Sequence, residues 1–213
     1  MLVGERMSYP VVSVNPELPI NEALTLMRRE RIRRTPVIRD GKLVGIISDK
    51  DLLNASPSPA TSLSIWEMNY LLSKITVRDV MTREVLTVNH DTPIEEAARI
   101  MADNKIGGLP VIQDDKVVGI ITETDLFKIF LEMMGARETG VRCTVIVRNQ
   151  PGELAHITHA LTGLGGDFVA FGQFLGSDPS NRMVTFKVAG LENEQVRQAL
   201  EPLVERLVDI RSS

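Results

Sequence analysis

Two stretches of the chain show the same order of apolar and polar positions. In each, a short apolar segment precedes residues whose apolar positions recur at the i, i+3, i+4, i+7 spacing of an amphipathic helix. Two further apolar runs flank a polar turn, at Asp40-Gly41 and at Asp114-Asp115, which predicts a β-hairpin. A shorter helix is predicted from Asp49 and from Glu123. The pattern therefore predicts a β-α-β-β-α unit that occurs twice.

These two stretches form a sequence repeat. Residues 7–52 align with residues 81–126 without a gap at a constant offset of 74, and 21 of the 46 aligned positions are identical. A unit of this size is too small to bury a core alone. The two copies are therefore expected to pack face to face as a pseudo-twofold pair.

The rest of the chain predicts a linker and a separate domain. Residues 55–78 are predicted to join repeat 1 (1–54) to repeat 2 (79–133), with a helix over Ser64–Lys74. From about Thr139 the alternation of apolar and polar residues predicts a strand, and the following pattern predicts the order βαββαβ over 139–213. The last helix of this domain is predicted from about Glu192, with Leu203 and Leu207 on its apolar face and with Pro202 expected to kink or divide it. The fold class is thus α+β.

Composition and charge exclude several classes of function. Lys+Arg 24 against Asp+Glu 28 gives a net charge of -4, so no overall positive field attracts nucleic acid or an anionic membrane. Cys143 is the single cysteine, which excludes an intramolecular disulfide and a multi-thiolate metal site. His156 and His159 are expected to be solvent-exposed, and no catalytic or metal-ligand group emerges. Because no membrane span or leader is predicted, we expect a cytoplasmic protein. Because no catalytic group emerges, we expect it to be non-enzymatic.

Four short strings carry a family resemblance. They are RTPVI (34–38), GIISDKDL (45–52), GLPVI (108–112) and GIITETDL (119–126). In this order they resemble the tandem repeats of the cystathionine-β-synthase (CBS) domain family. The resemblance implies that AMP, ADP, ATP or S-adenosylmethionine binds in clefts between the repeats and regulates another activity.

The resemblance also assigns residues to this site. A carboxylate can accept hydrogen bonds from both hydroxyls of a ribose, and a strand end before a helix favours a phosphate. Arg33 and Arg34 of repeat 1 align with glycines at positions 107 and 108 of repeat 2. These glycines offer room for a purine but little charge to neutralise phosphate. We therefore expect unequal clefts, with the charged nucleotide at Asp51. The nucleotide-binding candidates are Arg33, Arg34, Ser48, Lys50 and Asp51 in repeat 1, and Gly108, Thr122 and Asp125 in repeat 2.

Each of these residues also has a purely structural interpretation. Ser48 and Thr122 are typical helix N-caps, and Asp51 and Asp125 are typical acids of a first helical turn. The arginines before residue 35 suit a solvated helix end, and a nucleic-acid patch is a third interpretation of them.

The C-terminal pattern resembles a second family. The βαββαβ order and the string NQPGEL (149–154) are similar to the ACT domain, a ferredoxin-like module that commonly binds an amino acid where two copies pair. The resemblance implies a ligand loop between the first strand and the first helix. Its candidate residues are Asn149, Gly152 and Leu154, and the alternative is a purely structural module that dimerises without a ligand.

A CBS pair followed by an ACT domain resembles the acetoin-utilisation regulatory (AcuB-like) family. The sequence therefore predicts a homodimeric sensor of an adenine nucleotide, with an amino acid as a second ligand and an unidentified protein as the regulated partner. The alternative is a structural oligomerisation module with vestigial pockets. Nucleic acid and membrane are not expected partners, and no catalytic cofactor is expected.

Overall fold

The helices and hairpins of the two repeats lie at equivalent positions, as the pattern predicts, but the predicted first strand is reduced to Val88–Asn89 in repeat 2 and to a single bridge between Val14 and Val37 in repeat 1. The computed structural model describes residues 1–55, 67, 70 and 73–213, so most of the helix predicted over 64–74 lies outside the described residues. The chain divides into two compact units, Met1–Leu126 and Phe127–Ser213. The N-terminal unit contains α1 (Val3–Arg6), α2 (Ile20–Glu30), β1 (Arg34–Arg39), β2 (Lys42–Ser48), α3 (Asp49–Asn54), α4 (Val77–Val80), β3 (Val88–Asn89), α5 (Ile94–Asn104), β4 (Gly108–Gln113) and β5 (Lys116–Thr122), and α6 (Glu123–Met133) crosses into the next unit.

The hairpins of both repeats turn in the same way. β1 pairs with β2, and β4 pairs with β5, in antiparallel registers that are equivalent at the offset of 74. The turn residues Asp40 and Gly41 have φ of 50° and 76°, and Asp114 and Asp115 have φ of 50° and 59°. Two consecutive positive φ angles are those of a type I′ turn, which suits the twist of the strands. The aspartate pair therefore adopts the geometry that Asp-Gly adopts more easily.

The first residues of the chain pack into the core of repeat 2 rather than repeat 1. Val3 is completely buried with the apolar residues of repeat 2, and its N–H donates to the carbonyl of Thr92 at 2.9 Å. Ser8 forms a β-bridge with Ile120. The side chain of Met7 lies directly on Gly119, where a Cβ would collide with it.

Residues 76–82 make the reciprocal contact with repeat 1. Val77 is completely buried in the repeat 1 core, and Thr82 forms a β-bridge with Ile46. A Cβ at Gly45 would lie 2.5 Å from the sulfur of Met81. We call residues 1–8 and 76–82 the leading segments, and each completes the core of the repeat from which it is distant in sequence.

The C-terminal unit contains one four-stranded antiparallel sheet. Its strand order is β7-β8-β6-β9, which is the arrangement of a ferredoxin-like βαββαβ fold. Phe186 is 1% exposed at the centre of the core between the sheet and its two helices. The elements are β6 (Val141–Arg148), α7 (Glu153–Thr162), β7 (Asp167–Leu175), β8 (Asn181–Ala189), α8 (Asn193–Leu200) and β9 (Arg206–Ser212).

The prediction for the last helix was wrong at its C-terminal end. Helix α8 stops at Leu200, so Leu203 follows the helix and Leu207 belongs to β9. Pro202 follows two residues after the end of α8 and cannot donate the hydrogen bond that a continued helix requires. In the described part of the chain, no helix is both long and apolar enough to cross a bilayer.

Candidate ligand-binding site

A cavity of about 350 Å³ lies between the two repeats of the N-terminal unit. One wall comes from the end of β2 and the first turn of α3, and the other comes from the residues before β3 and before β4. This volume falls within the range of roughly 300–1,000 Å³ that is usual for small-molecule sites. The lining residues are Arg34, Ile46, Ile47, Ser48 and Asp51 of repeat 1, and Thr82, Glu84, Val85, Leu86, Lys105, Ile106, Gly107 and Gly108.

Asp51 lines this cavity and also caps helix α3. Its Oδ2 accepts hydrogen bonds from the N–H of Ser48 at 2.8 Å and from the Ser48 hydroxyl at 2.7 Å. The Asp51 N–H donates in return to the Ser48 hydroxyl at 3.3 Å. The structural interpretation of Ser48 as an N-cap and Asp51 as a first-turn acid is therefore confirmed, and together they form a capping box. It occupies only one carboxylate oxygen, and among the described residues Oδ1 of Asp51 has no hydrogen-bond donor.

Arg34 extends from the start of β1 across to repeat 2. Its half-buried guanidinium lies against the backbone of Gly107 and Gly108. Burial lowers the pKa of Arg34, while the nearby carboxylates of Glu123 and Asp49 act in the opposite direction. No carboxylate of the described residues lies within ion-pair distance of this guanidinium. Arg34 thus brings a partly desolvated and unpaired positive charge to the cavity wall.

The two other cations predicted in repeat 1 lie elsewhere. Arg33 and Lys50 are exposed, and neither lines the cavity. Arg33 precedes β1, and Lys50 sits in the first turn of α3. The structure therefore groups Arg34, Ser48 and Asp51 but not these two neighbours.

The equivalent residues of repeat 2 form the same cap in a more buried setting. Oδ2 of Asp125 accepts from the Thr122 N–H at 3.1 Å and from the Thr122 hydroxyl at 2.7 Å. Asp125 is only 5% exposed, and neither residue lines the cavity at Asp51. Gly108 does line that cavity, so the space it leaves is taken by Arg34 of the other repeat rather than standing open for a purine.

Apart from Gly108, sequence reasoning missed the half of the cavity that repeat 2 supplies. Lys105 adds a second positive charge from the left-handed end of helix α5, where its φ is 54°. Glu84 adds a carboxylate, and Val85, Leu86 and Ile106 add apolar surface. The sequence repeat could have pointed to Lys105, because it aligns with Arg31 at the offset of 74. Both are cations at the left-handed end of a helix, and φ of Arg31 is 55°. The repeat does not reveal which cleft a residue faces.

The predicted amino-acid loop of the C-terminal unit is held by internal contacts. The side chain of Asn149 donates to the carbonyl of Pro179 at 2.9 Å and accepts from Nε of Arg182 at 3.1 Å. Leu154 packs against the core of the unit. Gly152 is exposed with φ of 95° at the start of helix α7. The side chains of Asn149 and Leu154 therefore have structural roles, and the amino-acid site stays a prediction.

Chemically reactive side chains also occur in the C-terminal unit, in the histidines of helix α7 and in the single cysteine. His156 and His159 are exposed, as predicted. Cys143 is completely buried, and burial raises the pKa of its thiol to about 12. Within the described ranges, no group of three or more His, Cys, Asp or Glu side chains is placed to hold a metal ion.

The fold and the cavity define a class of protein, a pair of α+β repeats with a small-molecule-sized cavity between the two copies. The model of the CBS domain family matches residues 3–58 and 77–132, and the chain belongs to this family. It is 36% identical to the uncharacterized protein MJ1426 of Methanocaldococcus jannaschii over 152 residues, which cover 60% of the chain and 90% of that protein.

Solved structures of similar chains include complexes with adenosine compounds. The CBS domain pair of MJ0100, in complex with 5′-methylthioadenosine and S-adenosyl-L-methionine, is 31% identical with a TM-score of 0.52 and covers 65% of the chain and 98% of that pair. CBSX2 in complex with AMP is 33% identical with a TM-score of 0.52, over 62% of the chain and 97% of CBSX2.

Two further similarities bear on the biological role. The structure of an acetoin utilization protein (AcuB) from Vibrio cholerae is 30% identical with a TM-score of 0.53, over 65% of the chain and 96% of that protein. The chain is also 34% identical to the inosine-5′-monophosphate dehydrogenase of Thermoplasma acidophilum, but it covers 21% of that enzyme. CBS pairs therefore occur both in stand-alone proteins and as parts of enzymes.

Proposed function

We propose that the N-terminal unit binds an adenosine nucleotide in the cavity at Asp51 and that the chain is a non-enzymatic sensor. The observation that carries this proposal is the cavity itself, which joins a carboxylate, a hydroxyl and a guanidinium without an ion-pair partner among the described residues to an apolar wall. Solved structures of relatives that match the CBS pair hold AMP, or S-adenosylmethionine and methylthioadenosine.

The free oxygen of Asp51 suits a ribose. An ionised carboxylate has about four acceptor positions, and two of these are used on Oδ2 by Ser48. The two positions on Oδ1 match the adjacent 2′- and 3′-hydroxyls of a nucleoside. The apolar side chains of Val85, Leu86 and Ile106 supply the surface on which a purine ring would pack.

The charges of the cavity favour a ligand with a phosphate. Arg34 and Lys105 are cations on its wall, and a guanidinium binds phosphate oxygens with two parallel hydrogen bonds. Glu84 is the opposing charge and limits the number of phosphates that the site accepts. We therefore propose AMP as the preferred ligand, ahead of ADP and ATP. At Asp125, which is more buried and lacks an equivalent of Arg34, we propose a ligand of lower charge or none.

The test is a ligand titration of the purified chain. Isothermal titration calorimetry with AMP, ADP, ATP, S-adenosylmethionine and methylthioadenosine should give binding, with AMP tightest, and GMP serves as the control for the base. Thermal unfolding should shift upward with ligand concentration, because a ligand of the folded state alone stabilises it. If none of these adenosine compounds binds, the proposal is wrong and a structural oligomerisation module is the better interpretation.

The oligomeric state and the C-terminal ligand belong to the same proposal. Helix α6 exposes Phe127 at 68%, Phe130 at 51% and Met133 at 56%, and the edge strand β7 exposes Leu175 at 78%. Several large apolar side chains exposed along one helix favour an interaction surface, so we propose a homodimer, which light scattering after size exclusion would detect. Amino-acid binding at Gly152 rests on the ACT resemblance, and titration with the common amino acids tests it.

A further inference from the structure

Two positions that are equivalent in the repeats meet in the structure. Arg34 is the first residue of β1, and its counterpart at the offset of 74, Gly108, is the first residue of β4. Because the repeats face each other, the side chain of Arg34 lies against the backbone of Gly108 and of the preceding Gly107. A long side chain at one of these positions thus faces glycines at the other.

The contact leaves no space for any side chain on the glycine side. A Cβ at Gly107 would lie 2.5 Å from Nη1 and 2.7 Å from Cζ of Arg34, and a Cβ at Gly108 would lie 2.8 Å from Cδ of Arg34. Real Cβ atoms essentially never approach other atoms within 3.0 Å. A side chain at position 107 and the observed position of Arg34 therefore exclude each other.

Backbone conformation does not explain these glycines. Neither Gly107 nor Gly108 has a positive φ, in contrast to Gly41 or Gly152, so an alanine could adopt the same backbone angles. At Gly107 the three nearest atoms to an added Cβ all belong to Arg34. The room for this guanidinium is the structural requirement that the glycine meets.

We propose that Gly107 and Gly108 are specificity-determining residues that hold Arg34 in the cavity, so that the Asp51 cleft selects adenosine ligands with a phosphate over uncharged ones. This inference rests on the proposed function. The half-buried guanidinium has no ion-pair partner among the described residues, so an anion entering the cavity gains a charge-assisted contact that adenosine cannot make. The two glycines are positioning residues, since they act through Arg34 rather than on the ligand.

The test compares AMP with adenosine, which differ only in the phosphate. Gly107→Ala should displace the guanidinium and lower the preference for AMP over adenosine by about tenfold or more, as expected for the loss of a hydrogen-bonded charge pair. Arg34→Gln should give a similar loss, and adding Gly107→Ala to Arg34→Gln should change the preference no further. Lys42→Ala is the matched control, because it removes one positive charge from an exposed position of the same hairpin.

The outcomes separate this inference from the proposed function. If the unmodified chain binds neither AMP nor adenosine, both are wrong. If it binds AMP but Gly107→Ala keeps the original preference, or lowers it equally in the Arg34→Gln background, the role of the glycines alone is refuted. Should Gly107→Ala fail to fold, an unchanged preference in Arg34→Gln would also overturn the inference.

Discussion

Replacing Asp51 with alanine removes both the helix cap at Oδ2 and the proposed ribose contact at Oδ1, and the two losses are measured by different assays. In the unliganded protein the change removes two hydrogen bonds from Ser48 to Oδ2. We expect the N-terminal unit to lose about 1 kcal/mol of stability, which is typical of a helix cap. The unit should nevertheless stay folded, since its two cores are unaffected.

The effect on binding should be larger. Each hydrogen bond between a hydroxyl and a carboxylate contributes about 1.5–3 kcal/mol, and Oδ1 has positions for two of them. Even one such bond corresponds to more than a tenfold change in the dissociation constant. Calorimetry at 25 °C should therefore show the affinity of Asp51→Ala for AMP lowered by at least tenfold.

Asp79 provides a matched control for the loss of a cap. Its Oδ2 accepts from the Thr76 N–H and from the Thr76 hydroxyl, each at 2.8 Å, in the same arrangement as Asp51 with Ser48. Asp79 is not among the residues that line the cavity, so Asp79→Ala should bind AMP as the unmodified chain does. Equal AMP affinities for the Asp51 and Asp79 variants would refute the assignment of Asp51 to the ribose.

Three further predictions concern the C-terminal unit. Cys143 should react with a thiol reagent at pH 8 only after unfolding, because burial raises the pKa of its thiol to about 12; reaction at the rate of a free thiol would contradict this. Phe186→Ala should cost about 3–5 kcal/mol in chemical denaturation, whereas Phe174→Ala, at a 43% exposed position, should cost much less. Hydrogen bonds from Arg211 lower the pKa of Asp209, so its contribution to stability is present above about pH 3.9 and is lost as the pH falls through the folded-state pKa. Asp209→Asn should therefore reduce the loss of stability on acidification, and an unchanged acid profile would argue against it.

The local elements were predictable because they depend on short-range pattern. The spacing of Ile20, Ala23 and Met27 places three apolar side chains on one helical face, and all three are buried. The paired turns follow from residues that tolerate positive φ. The structural interpretation of Asp51 is confirmed at Oδ2, and its contact with a ribose through Oδ1 stays a prediction.

The cavity was only half predictable, because its second wall depends on how the repeats meet. The position of Gly108 in sequence suggested an open place for a purine, but its steric neighbour is Arg34, 74 residues away. Lys105 and Glu84 carry no motif of their own. The packing of Val3 into repeat 2 is likewise invisible to periodicity, because an apolar residue fits either core equally well.

The exchange of leading segments has a consequence for any attempt to divide the pair. A cut between the repeats would separate Val3 from the Thr92 carbonyl and Val77 from the Leu18 carbonyl, and would leave each half with the segment that belongs to the other. Such halves should be unstable alone and regain structure when mixed, as in fragment complementation. Contacts of this sequence separation also raise the contact order, and topologies of high contact order fold slowly. Because each leading segment completes the core of the other repeat, the two repeats should unfold in one cooperative transition rather than one after the other.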